Sequence, residues 1–474
     1  MPAMKRSVAA LLVALSLPLS AFAQVPWRVE GPARAGGLLE VDVSESRGNE
    51  AETAVAVNHK NPLQITTVSN LEANALFHSW STDGGRTWQH NLIANGDSLG
   101  VACCDAQLTS DDFGNIFLTY LASDISVKMG ISTDGGATFQ SLPFLQSLPA
   151  GLPVMPYKSL AAIGQTISGD QPSISAGPSS VWISWTSFDG TILASGAPVS
   201  GLGQVGAFTP AQGIPGSARA GDYGDTAVGP DGQVFVVFQN PTGGEGPATV
   251  FGALDPDGLG PAGFNAAKVL QTTNVGGFDY IPAQSGRSID AEAGLAWDRT
   301  GGEHHGRLYF IHVSEEPAES NNTDIQLRYS DDNGATWSAL TRVNDDVGTT
   351  SQFNPKVQLD STTGKIGVAW YDARNDAGDH SRGDTNGVPN DDVMIYGTVS
   401  RDGGLTFQHA VRLSLAASND NGARSGVDYG DYSGFAYYNG RFYFSAANNA
   451  NVSGTNPDGT LKAFDLVIAP TSVK

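Results

Sequence analysis

One eight-residue pattern occurs four times, as STDGGRTW (81–88), STDGGATF (132–139), SDDNGATW (330–337) and SRDGGLTF (400–407), and each copy reads Ser-x-Asp-x-Gly-x-Thr-aromatic. The Asp offers its carboxylate to nearby backbone groups, the Gly supplies a positive φ, and the closing Trp or Phe can plug a gap between sheets. Each copy is therefore expected to be a hairpin corner. A strand-like segment precedes every one (ANALFHSW, DISVKMGI, DIQLRYS, DVMIYGTV), and a second usually follows, as in FQHAVRLS after the last. The four copies mark equivalent positions in a repeating sheet.

These residues carry a family resemblance. The motif resembles the Asp-box, or BNR repeat, of sialidases and of other β-propellers, catalytic and non-catalytic, and the copies span most of the chain. The resemblance implies a propeller in which Asp83, Asp134, Asp332 and Asp402 are scaffold residues on the blade periphery, away from any active site.

Composition agrees with a secreted all-β protein: 58 Gly, 25 Pro and 16% charged residues make the chain turn-rich. Lys5 and Arg6 precede the apolar run AALLVALSLPL and then Ala21-Phe22-Ala23, the pattern of a secretory signal. We expect cleavage near Ala23, a signal peptide at 1–23, a propeller at 24–474, and a secreted or periplasmic location. No Cys stands directly after the expected cleavage point and no later stretch reaches membrane-spanning length, so neither a lipid anchor nor membrane insertion is expected. A net charge of −22 argues against nucleic acid as a partner.

Seven segments begin with a polar residue, continue as an apolar strand, turn, and return as a second strand: 52–68, 105–121, 170–186, 222–238, 290–313, 354–371 and 431–446. The expected fold is a single β-propeller of four-stranded antiparallel blades, seven in number, or six if one weak unit is an insertion. Blades three, four and seven lack an Asp-box. The last unit is a strand short, and GLLEVDVSE (37–45) could complete it by joining the two ends of the chain.

In a propeller the loops that lead into the inner strands share one face and converge on the central channel. That face is expected to gather Glu50, Glu52, Asp105, Asp170, Asp222, Tyr223, Asp290, Glu292, Asp428, Asp431 and Tyr432, while the loops between second and third strands add Tyr120, Asp189, Glu315, Glu316, Asp372 and Arg374. Arg219 and Arg287 each stand three residues before an Asp, and Arg424 stands ahead of Asp428. Three guanidinium forks on one channel would suit a carboxylate ligand. The resemblance to sialidases implies an arginine triad, a Tyr-Glu pair as nucleophile and an Asp as acid/base. By that analogy the nucleophile is Tyr432 or Tyr223, its activating base Glu292 or Glu315, and the proton donor Asp105 or Asp170. Arg219, Asp222, Arg287, Asp290, Arg374, Arg424 and Asp431 would contact substrate. The Arg-Ile-Pro segment of sialidases is missing, and each Arg could instead pair with a neighbouring Asp and lock a loop.

DYGD occurs at 222–225 and again at 428–431, whereas alignment of the strands pairs Gly221-Asp222-Tyr223 with Gly430-Asp431-Tyr432. Either way two Asp-Tyr units project from similar places in two blades, where tyrosines can stack on sugars and carboxylates can bind hydroxyls or serve in glycoside cleavage. Cys103 and Cys104, the sole cysteines, are adjacent and could form a vicinal disulfide in an oxidising compartment. No metal is expected at the cysteines. The loop 372–392 carries oxygens that suit Ca²⁺, although no cofactor is required and the spacing is not that of an EF-hand. GxGxxG, GxSxG, HExxH and Walker motifs are absent, which removes the common nucleotide, serine-hydrolase and zinc-protease readings. Two function classes remain: a sialidase-like exo-glycosidase acting at the channel mouth, and a non-catalytic propeller that binds a glycan or protein there.

Overall fold

Short apolar strands separated by Gly- and Asp-rich turns leave no stretch long enough for an amphipathic helix, and each strand pairs with its neighbours in sequence. The computed structural model describes residues 40–144, 169–240, 243–423 and 425–473. The expected signal segment and Arg424 lie outside the described residues. Among the described residues seven antiparallel sheets of four or five strands follow one another along the chain, with a separate two-stranded hairpin between the fourth and fifth. Their inner strands are Glu50–Val57, Gly100–Ser110, Gly169–Ala176, Asp222–Val228, Gly294–Trp297, Gln352–Leu359 and Gly434–Tyr438, in blades one to seven. Each is followed outward by its second and third strands, as in Ile65–Leu71 and Leu76–Ser81 of blade one, with Gln89–Ile93 at the edge. The architecture is a seven-bladed β-propeller, and the seven inner strands match the seven segments read from sequence.

Blade seven is completed from the other end of the chain. Val41–Asp42 adds antiparallel to Asp465–Ser472, with Val41 opposite Ile468 and Asp42 opposite Val467. A short strand from 37–45 therefore does close the ring, as its sequence suggested.

The hydrophobic cores lie between blades. Between blades four and five, Phe235, Val237, Leu295, Trp297 and Phe310 are buried together, and Trp337, which ends the third Asp-box, packs edge-on against Phe235 and Phe310 at 5.9 and 5.8 Å. In the first box Ser81 Oγ donates to Asp83 Oδ1 (2.8 Å), while Asp83 accepts from the Thr87 N–H (2.9 Å) and hydroxyl (2.7 Å). The same bonds recur around Asp134, Asp332 and Asp402. Their carboxylates are filled by their own turns, which is a scaffold role. The turns also latch blades together: Gly136 O accepts from His78 Nε2 at 2.8 Å, and Gly403 O accepts from Arg307 Nη1 at 2.8 Å.

Candidate active site at the channel mouth

Near its upper end the inner strand slips register at the same point in successive blades, between Ala51 and Ala54, Cys104 and Gln107, Asp170 and Ser173, Asp222 and Asp225, and Phe353 and Lys356. The first residue inside each bulge takes a positive φ: Glu52 (51°), Asp105 (58°), Gln171 (49°), Tyr223 (42°) and Asn354 (47°), with Glu292 (49°) equivalent in blade five. Side-chain-bearing residues in this region cost roughly 1–3 kcal/mol each and persist only where the surroundings hold them. Here the holding is mutual. Asp105 Oδ2 accepts the N–H of Gln171 at 3.1 Å, and Gln171 Oε1 accepts the N–H of Tyr223 at 3.1 Å. The bulges bring Gln171, Tyr223, Glu292, Asn354 and, in blade seven, Tyr432 to one axial cavity of about 50 Å³, shared with Asp290, Lys356 and Asp431.

Both tyrosines of the pairing given by strand alignment, Tyr223 and Tyr432, line this cavity together with Asp431, whereas Asp222 does not. Asp428, from the second DYGD, does something else. It accepts the N–H groups of Gly286 (2.8 Å) and Arg287 (2.9 Å), fixing the hairpin Asp279–Ile281/Gln284–Ile289 that links blades four and five. From that hairpin Arg287 makes a two-bond ion pair with Asp431, its Nε donating to Oδ1 at 2.7 Å and Nη2 to Oδ2. Arg287 thus pairs across the mouth rather than with Asp290.

Electrostatics at the mouth are dominated by carboxylates. Burial holds Glu52 up at about 7, helped by the charge of Asp431, and burial likewise holds Asp222 at about 7. Asp105, Asp290 and Glu292 are raised well above the ordinary carboxylate range, first by burial; Asp290 adds to the rise at Glu292, and Glu52 and Asp170 to that at Asp105. Lys356 works in the opposite direction on Asp290, Glu292 and Asp225. Neither oxygen of Glu292 makes a hydrogen bond of normal geometry, although both are screened from solvent. Buried Tyr223 and half-buried Tyr432 are also raised, first by burial and then by nearby carboxylates, and the Tyr432 hydroxyl, itself screened from solvent, has no hydrogen-bond partner.

The remaining candidates take other places. Asp170 is exposed beside the mouth, where its Oδ1 accepts the N–H of Gln171 at 3.1 Å. Glu315 is 1% exposed and accepts the N–H groups of Glu319 and Asn321 at 2.7 Å each, so it caps its own loop. Arg219 is exposed beside Asp189 and Gly190. Arg374 binds Asp372 (2.9 Å) and Asp345 (2.6 Å) and lies over the Tyr396 ring at 4.4 Å, which is the internal pair its sequence allowed. Glu50 and Tyr120 are fully buried away from the cavity. Lys356, Gln171 and Asn354 were not singled out from the sequence. Superposing inner strands at the bulge would have found them, since Lys356 holds the offset of Gln107 and Asp225.

Cys103 and Cys104 form the vicinal disulfide, and the pair packs against the core between blades two and three. In the loop 372–392, Asp376, Asp391 and Asp392 bring one oxygen each within 4.8 Å of one another, and these are the residues that could hold Ca²⁺. Loop bonds also engage them: Asp376 Oδ2 accepts the N–H groups of Asp391 (2.7 Å) and Asp392 (2.8 Å).

No known family profile matches the chain. No curated protein matches it in sequence either. Among solved structures, the polysaccharide lyase Uly1 is similar with a TM-score of 0.49 at 9% identity, over 89% of this chain and 90% of that one. The Hadza microbial sialidase Hz136 is similar at 0.45 and 11% identity, over 86% and 74%. The GH93 α-L-arabinofuranosidase of Fusarium graminearum, in complex with arabinobiose, is similar at 0.43 and 11%, over 70% and 92%. The likeness lies in the fold.

Proposed function

We propose that the protein is a secreted or periplasmic carbohydrate-active enzyme that cleaves a terminal glycosidic bond at the channel mouth, as a glycoside hydrolase of the sialidase-like kind. The observation that carries this reading is Glu292, whose buried oxygens make no hydrogen bond of normal geometry, the Asn354 backbone being the group that approaches them, and which lines the cavity beside Asp290, Asp431, Tyr223 and Tyr432. A carboxyl held protonated above its usual range is suited to donate a proton to a leaving glycosidic oxygen. Asp431, ion-paired with Arg287, provides fixed negative charge for an oxocarbenium-like transition state. Raised tyrosines are poor nucleophiles, so carboxylate chemistry is favoured over a Tyr432 or Tyr223 nucleophile. A cavity of about 50 Å³ accepts a hydroxyl or a water and leaves the sugar ring above it, where the tyrosines can support it.

Neutral sugars are favoured over sialic acid. A substrate carboxylate would meet Glu52, Asp105, Asp222, Asp290 and Glu292, with Arg287 already engaged by Asp431. The test is a screen of purified protein against aryl glycosides of neutral sugars and of sialic acid, repeated with Glu292→Gln. Loss of roughly 10²-fold or more in kcat is expected, the usual scale for a general acid. No turnover of any glycoside, together with measurable glycan binding, would replace this reading with that of a non-catalytic binder, which the capping duty of Asp105 and Gln171 favours.

A further inference from the structure

Asp225 divides the channel. It accepts from Ser173 Oγ (2.6 Å), Thr226 N (2.8 Å) and Leu295 N (2.8 Å), tying the inner strands of blades three, four and five, and it lines both the mouth cavity and a second one. That second cavity is about 450 Å³ and occupies the channel on the Asp-box side. Its volume falls within the range of small-molecule sites, whereas the mouth cavity is far smaller.

Arg299 stands at its wall, two residues beyond the inner strand of blade five. Its Nη1 reaches across to the carbonyls of Ala176 in blade three and Val228 in blade four, the latter at 3.2 Å. Among the described residues no carboxylate lies within ion-pair distance of this guanidinium, and the remaining N–H groups have no protein acceptor. A guanidinium walled in by three blades, with the exposed carboxylate of Asp112 acting on it only from beyond ion-pair distance, is a standing donor for an anion. His59 adds an imidazole, stacked on Tyr438 at 5.3 Å and bonded to Asp112 at 3.1 Å. Asp112 itself is 74% exposed at the rim of the chamber and is engaged by His59. Hydroxyls of Ser361 and Thr362 complete the rim.

We propose that this lower chamber binds a small hydroxylated carboxylate, an acidic monosaccharide in size and chemistry, with Arg299 gripping the carboxylate and the aromatic and hydroxyl groups receiving the ring. The site is separate from the mouth and does not depend on catalysis there. The experiment is calorimetric titration of the whole secreted protein with D-glucuronate and with D-glucose, on the wild type and on Arg299→Gln, Ser361→Asp and Glu292→Gln. Ser361 is exposed, so Ser361→Asp adds negative charge to the rim while leaving every bond of Arg299 intact, which keeps the test decisive if Arg299→Gln does not fold. Glucuronate is expected to bind at least about tenfold more tightly than glucose, to lose about tenfold or more in Arg299→Gln and Ser361→Asp, and to be unaffected by Glu292→Gln. The proposal is overturned if the two sugars bind alike, if glucuronate binding survives Ser361→Asp unchanged, if it vanishes in Glu292→Gln, or if no binding is measured up to about 10 mM.

Discussion

Lys356 holds a position that a reading of motifs passes over. It lies among carboxyls at the mouth, and its charge lowers Asp290, Glu292 and Asp225 against the upward push of burial. If Glu292 donates the proton, kcat/KM declines on the alkaline side as that proton is lost, at a pH above the ordinary carboxylate range. Lys356→Gln removes the opposing charge and moves this alkaline limb to still higher pH. A pH profile of the two proteins on one aryl glycoside checks this, and an unchanged limb would take Glu292 out of the acid's role. The aspartates and tyrosines of the mouth were legible in sequence because they recur at strand starts, as in the Asp-Tyr pairs. Lys356 and Gln171 were not, because only the bulge in each inner strand turns them toward the axis. Glu315 reads like a mouth residue from its place at a strand end, yet its partners are the backbone N–H groups of the next loop, whose path no spacing rule reveals.

The Asp-box is an element whose function is to hold its neighbour. Gly136, in the second box, has a φ of 91°, and a Cβ there would stand 2.5 Å from Thr66 Cβ of blade one. Its carbonyl also receives His78. Gly136→Ala combines an unfavourable backbone with a clash against another blade, and is expected to destabilise by about 2 kcal/mol or more. Thermal unfolding of the two proteins measures it; a change within roughly 0.5 kcal/mol would mean that the boxes do not brace adjoining blades. Four copies were enough to read the repeat, because each box is satisfied by its own Ser, Asp and Thr. Blades three, four and seven lack it and were recognisable only from their paired apolar strands.

At the scale of the whole molecule, the seam where blade seven meets blade one is built from acids. Glu50 is 0% exposed with neither oxygen in a hydrogen bond of normal geometry, and burial, with the charges of Asp42 and Asp458, raises it from 4.5 to about 8 against the smaller opposing pull of Ser44 and Asp465. Asp465 beside it is raised to about 10, first by burial and then by Asp42. A folded-state pKa above the unfolded value means that the native protein binds the extra proton. Stability from Glu50 is therefore fully present below pH 4.5 and is lost progressively up to about pH 8. Melting temperatures are expected to fall across this window, and Glu50→Gln, which cannot ionise, is expected to flatten the decline. A decline of equal slope in the variant would place the pH sensitivity elsewhere.

Next to that seam, blade seven itself joins the first described strand to the last, Val41 against Ile468. The outermost ribbon of the final vane precedes every other described strand in the sequence, and its partner follows them all. No partially made chain can present a finished circle, so a nascent molecule must keep an unpaired border until its closing residues arrive.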